Sequence, residues 1–174
     1  MYNFGLSSQR PYEFHPLPSS LSLRLNSRII AFACHPHLEK IAIALSDNSV
    51  HIYELNNHKW DEIMIITHQF QQSILCLEWK PLSGTILAVG CSGGVLIWEG
   101  DWMTRYLNCP SVSNVSSLQW SPTEPLLAVG CPHTSVVIWN VSTCVPTRLN
   151  SVPPSSSYLI RWSPNGHYLF QASL

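Results

Sequence analysis

Three residues near the start of the chain, Cys34, His35 and His37, lie within four positions, and Cys131 and His133 lie two apart. Thiols and imidazoles at such spacings do two kinds of chemistry: they hold zinc, or they pair as nucleophile and base. A structural zinc site needs about four ligands, usually arriving as short knuckles. No pair of Cys-x-x-Cys knuckles occurs here. Cys91 and Cys131 both end the phrase Leu-Ala-Val-Gly-Cys, where cysteine acts as a small apolar filler. His37 and His133 fall in turn-forming stretches and read as solvated. A Cys–His nucleophile also needs an orienting group and an oxyanion site. The ten acidic residues are scattered, with no Gly-rich phosphate loop and no Gly-x-Ser-x-Gly. The expectation is a non-enzyme with no cofactor, metal or small-molecule ligand.

Seven tryptophans could instead form a ligand cage. Five of them recur at fixed repeat positions, which argues for structural cores. Trp60 and Trp102 fall outside that pattern. Exposed aromatics anchor protein interfaces, so these two are the candidate contacts with a partner protein.

The repeat is read from proline. Pro36, Pro81, Pro122 and Pro164 lie 45, 41 and 42 residues apart. Two residues before them stand Cys34, Trp79, Trp120 and Trp162, and 17 residues after the first three stand Tyr53, Trp98 and Trp139. Each unit opens with an alternating run: IIAFAC (29–34), ILCLEW (74–79), VSSLQW (115–120), YLIRW (158–162). Period-2 alternation makes a strand with two unlike faces. Proline then ends it, since it cannot donate to a ladder. A polar turn leads to a continuous apolar run, IAIAL, ILAVGC, LLAVGC or YLF, as expected of a strand buried on both faces. A second turn precedes VHIY, VLIW or VVIW, rich in strand-forming residues. The segments between units have room for a weaker outer strand, such as IMIIT (63–67). A four-stranded antiparallel unit every 40–45 residues predicts an all-β fold, an incomplete β-propeller of about three and a half blades. Its units span about 28–66, 67–108, 109–150 and 151–174, the last incomplete, behind a flexible lead-in at 1–27. Within the lead-in, LSLRL (21–25) alternates and suits a strand completing a blade; NSVPPSSS (150–157) reads as an inter-blade loop.

Composition narrows the partners. Only 11% of the 174 residues are charged, against 45% apolar, and the net charge is −1. A surface so poor in charge suits one covered in part by other protein, or one whose polar groups come from Ser, Asn and Pro. Nucleic-acid binding rests on clustered cations, and no run of Lys or Arg appears. No stretch approaches the ~20 apolar residues of a membrane span. No charged start followed by an apolar run marks a secretory signal, so the six cysteines are expected to be thiols.

The units resemble WD repeats. In that family a unit ends in Trp-Asp, opens near a Gly-His pair, and carries a turn Asp six residues before the Trp. Asp47 matches that Asp; Ser92 and His133 stand in its place in the next two units, and Glu54, Glu99 and Asn140 follow the terminal aromatics. His68 stands where the opening histidine of the Trp79 unit would be. With most of that polar network missing, the blades are expected to depend on packing. Within the family, ACHPHLEKIAIALSDNSVHIY (33–53), LEWKPLSGTILAVGCSGGVLIW (77–98), SSLQWSP (116–122), WNVSTCVP (139–146) and RWSPNGHYL (161–169) are similar to aladin-type WD-repeat nucleoporins. The resemblance covers roughly 28–170, and Cys34 departs from it where tryptophan is usual. It implies a scaffold or adaptor subunit of the nuclear pore complex at the nuclear envelope, supporting nucleocytoplasmic transport. Other nucleoporins would be its partners, with a transmembrane nucleoporin as anchor. Since members of that group carry a full propeller, the chain reads as a fragment or short form, cytoplasmic if it does not assemble. The alternative is a generic WD-repeat adaptor outside the pore, such as a ubiquitin-ligase substrate receptor or an assembly factor.

Overall fold

A computed structural model describes residues 27–100, 102–108, 112–132, 136–149 and 158–173. Thus LSLRL (21–25), NSVPPSSS (150–157) and His133 lie outside the described residues. Among those described there are only strands, turns and bends. The first sheet holds β1 (Ile29–Cys34), β2 (Lys40–Leu45), β3 (Val50–Asn56) and β4 (Lys59–Ile66). The second holds β5 (Cys76–Trp79), β6 (Ile86–Cys91), β7 (Gly94–Glu99) and β8 (Trp102–Leu107). The third holds β9 (Ser117–Trp120), β10 (Leu126–Gly130), β11 (Val137–Asn140) and β12 (Val145–Arg148). The fourth is the pair β13 (Tyr158–Trp162) and β14 (Leu169–Ser173). Strands pair in chain order within every sheet, all antiparallel.

The inner strands β1, β5, β9 and β13 contact one another in turn, and the ring they begin is open. Burial follows the sequence pattern. In β5 and β9 buried and half-buried residues alternate, whereas β6 is buried throughout after its first residue. Each sheet therefore has two apolar faces, and cores form between sheets. Ala42, Ala44, Val50 and Ile52 of the first meet Leu77, Trp79, Leu87 and Trp98 of the second. Ala88, Val95 and Ile97 meet Leu118, Trp120, Leu127 and Trp139. A smaller core joins Ala128 and Val136 to Ile160, Trp162 and Leu169.

The contact geometry is uneven in size: small residues on one face receive indoles from the next. Gly90 marks the tightest point, where an added Cβ would sit 2.5 Å from Cys76 Sγ and 2.8 Å from Val115 Cγ1. Gly94, at φ +150°, opens β7 in a backbone conformation that other residues rarely adopt. The outermost strands β4 and β8 shift register at equivalent places, opposite Ile52 and Tyr53 of β3 and opposite Ile97 and Trp98 of β7.

Candidate interaction site and the contacts between blades

The tryptophans before the repeat prolines tie one blade to the previous one. Trp79 Nε1 donates to Ala33 O (3.1 Å), Trp120 Nε1 to Glu78 O (3.2 Å) and Trp162 Nε1 to Gln119 O (3.1 Å). In every case the acceptor is the residue just before the equivalent position of the preceding blade. Buried indole nitrogens need an acceptor, and strand ends supply free carbonyls. Cys34 holds the same place in the first unit and is exposed. Pro36, Pro81, Pro122 and Pro164 follow these positions in the turns. There His35 Nδ1 accepts the amides of His37 and Leu38, Ser121 Oγ those of Thr123 and Glu124, and Ser163 Oγ that of Tyr168. The buried His35 also hydrogen-bonds Ser83 O of the next blade through Nε2 (3.0 Å).

The terminal aromatics differ among themselves. Tyr53 OH donates to Glu62 (2.8 Å). Trp98 Nε1 donates to Gln71 Oε1 (3.0 Å), and Gln71 Nε2 donates to Asn48 O and Ile66 O. Gln71, fully buried, thus holds the Trp98 indole three residues after His68. The imidazole sits edge-on to Trp98 and accepts the amide of Phe70 through Nδ1. Gln71 lies eight residues before Trp79; Val112 lies eight before Trp120. A valine has no oxygen to offer, and Trp139 Nε1 is buried without a partner.

A polar rung crosses three blades beside these indoles. Arg161 NH1 donates to Gln119 Oε1 (2.9 Å), and Gln119 Nε2 donates to Glu78 Oε1 (2.8 Å). All three precede the repeat tryptophan. Burial pushes the Glu78 carboxyl up to about 7, against the opposing pull of Arg161. With Trp120, Trp162, Pro81, Pro122 and Pro164, the rung lines an open groove of about 350 Å³.

One constellation has catalytic spacing. Ser49 Oγ lies 3.1 Å from His51 Nε2, and His51 Nδ1 lies 2.9 Å from Glu62. Yet Ser49 Oγ is 2.6 Å from Asp47 Oδ1. The hydrogen bonds from Ser49 lower the Asp47 pKa, so the ionised Asp47 accepts from the Ser49 hydroxyl, which is thereby directed away from His51. Asp47 also accepts from the Ser27 hydroxyl (2.9 Å), fastening the turn before β3 to the chain before β1. Cys34, Cys76, Cys91 and Cys144 are free thiols. Burial, then the nearby Cys91, Cys131 and Glu78, push the Cys76 thiol far up, and burial raises Cys91 to about 11, so neither is a reactive thiolate. Among the described residues no group of three His, Cys, Asp or Glu could hold a metal ion, and no helix is long and apolar enough to cross a membrane.

Of the two candidate contact residues, Trp60 is half-buried against the core of Ile41, Ile43, Leu45 and Tyr53. Trp102 pairs with Glu99 through its backbone, and its side chain lies outside the described residues. Gln71 and the rung escaped sequence reasoning. Their fixed offsets from the repeat tryptophans were the only signal.

Residues 104–140 match the family model for the WD domain, G-beta repeat. One unit of the chain is thus similar to a WD repeat. The chain is 25% identical to Aladin of Arabidopsis thaliana over 72% of this chain and 34% of that protein. It is 26% identical to Actin-related protein 2/3 complex subunit 1A of the same plant, over 86% of this chain and 42% of that one. The Xenopus laevis subunit 1A-B is also 26% identical, over 88% and 43%. The chain thus spans between a third and under half of these relatives' lengths.

Proposed function

We propose that the chain is a non-catalytic scaffold subunit of the nuclear pore complex that supports nucleocytoplasmic transport at the nuclear envelope. The observation that carries this reading is the similarity to Aladin along 72% of the chain, joined to blades whose polar groups serve one another. Its partners are other nucleoporins, with a transmembrane nucleoporin as anchor. Residues 1–27 lead into the repeat units, Trp60 and Trp102 are the proposed contacts, and the repeat tryptophans and prolines are the frame. No nucleic acid enters this reading, since cations are few and dispersed.

The similarity to Actin-related protein 2/3 complex subunits over 86–88% of the chain favours a second reading, a WD-repeat adaptor in the cytoplasm. Tagging the protein in its own cells and purifying it separates the two. Rim staining of nuclei with nucleoporins in the eluate is the expected result. Diffuse cytoplasmic signal, or an eluate of actin-related subunits without nucleoporins, would contradict the pore assignment.

A further inference from the structure

The turns that follow the repeat prolines join the first two strands of each sheet and share one end of the stack. Three of them span positions 36–40, 122–126 and 164–168, whereas the second spans 81–86 and is one residue longer. Leu82, directly after its proline, takes up the difference: it stands at φ +59° and is 81% exposed. Left-handed backbone is strained for leucine. The fourth turn puts a glycine there, Gly166 at φ +73°. The rest of the second turn is pinned to the first blade, since Ser83 O bonds His35 Nε2 (3.0 Å) and Gly84 O accepts Lys40 Nζ (2.9 Å). A fastened turn that holds an apolar side chain out in water, against its backbone preference, points to a use for that side chain.

The turns close on one another in pairs. A Cβ added at Gly84 would lie 3.0 Å from Leu38 Cδ1 of the first turn, and one at Gly166 would run into Thr123 Oγ1 of the third. Between the second and third turns there is instead an open groove of about 310 Å³. Pro81 and Ile86 line it from the second turn, Pro122 and Pro125 from the third. Leu82 stands beside it, and Lys80 and Glu124 bring one charge of each sign. Both flanking sheets are complete four-stranded units.

We propose that this face pairs with a second copy of the chain about a two-fold axis running along the groove, the Leu82 side chain of each copy entering the groove of the other. A two-fold interface must be self-complementary. It needs a knob and a hole side by side on one surface, and the long turn and the gap next to it supply both. Rotation about that axis lays the second turn of one copy over the third turn of the other. Lys80 then faces the partner's Glu124, and Glu124 faces the partner's Lys80. The charge pair that makes one groove neutral becomes two unlike pairs across the interface, which fixes its register. A rigidly held apolar side chain at the centre of such a patch is the usual anchor of an interface.

Sedimentation equilibrium of the whole chain tests this. The wild-type chain should show a monomer–dimer equilibrium. Leu82→Gly suits a left-handed backbone and so keeps the fold, yet it should weaken self-association about tenfold or more. Lys80→Glu and Glu124→Lys, each checked by circular dichroism, should each weaken it about tenfold, because like charges then face one another. Mixed in equal amounts, these two variants should associate as tightly as wild type, since one is acidic and the other basic at both positions. Association through the outer faces of the first and fourth sheets would be indifferent to all three substitutions. A chain still monomeric at about 100 μM, an affinity that none of the substitutions moves, or no recovery on mixing would each overturn the proposal.

Discussion

A carboxyl wedged between two blades does not titrate like one in water. Glu78, raised to about 7 by burial, binds its proton more tightly folded than unfolded. Stability therefore falls as pH rises from the ordinary carboxyl range through about 7, and is flat above. Glu78→Gln keeps an acceptor for Gln119 and removes the charge. Its melting temperature should match wild type near pH 5 and exceed it by a few degrees at pH 8, in parallel thermal melts. The orphan indole of Trp139 gives a second prediction. Val112→Gln restores at the third blade the oxygen that Gln71 provides at the second. Leu107 stands opposite Val95 as Ile66 stands opposite Val50, so the Leu107 carbonyl is the acceptor expected for the new side-chain amide. Denaturant unfolding should show a gain of about 1 kcal/mol; a loss of that size would mean that position 112 cannot seat the longer chain. Trp120→Phe removes one interblade hydrogen bond and part of a fully buried ring, and should cost about 2 kcal/mol in the same assay.

The elements obey the spacing between sheets. Gly90→Ala drives a methyl into Cys76 and Val115, so the second and third blades must part or repack. The expected loss is about 1–3 kcal/mol by denaturant titration, and Gly90→Ala with Cys76→Ala together should recover part of it. Most of this architecture was legible beforehand. Runs such as IIAFAC, ILAVGC and YLIRW became β1, β6 and β13 with the same bounds, because alternation and turn residues are local properties. The inner strands β5 and β9 start two residues later than their apolar runs. Ile74 and Val115 there are buried by packing rather than by a ladder, which periodicity cannot distinguish. Beside the packing expected to hold the blades, hydrogen bonds link them as well. Trp79, Trp120 and Trp162 donate to backbone carbonyls, and a carbonyl leaves no mark in the sequence. Gln71 and the Glu78–Gln119–Arg161 rung were missed for a related reason: their bonds join residues 27, 41 and 42 positions apart.

At the scale of the whole molecule, the blades are linked in series, each indole reaching back to its predecessor. A chain poor in charge, with Phe32, Ile65, Tyr168 and Phe170 exposed at its two ends, should associate with itself or with partners at micromolar concentration. Everything depends on the sheets being stacked with tryptophan between them. The most direct measurement is hydrogen exchange of the indole N–H groups by nitrogen-15 spectroscopy, assigned through Trp→Phe variants. Slow exchange at Trp79, Trp98, Trp120 and Trp162, each hydrogen-bonded in the structure, is the predicted result. Exchange of all four within the dead time, as for tryptophan in water, would contradict the stacked blades and with them the scaffold they support.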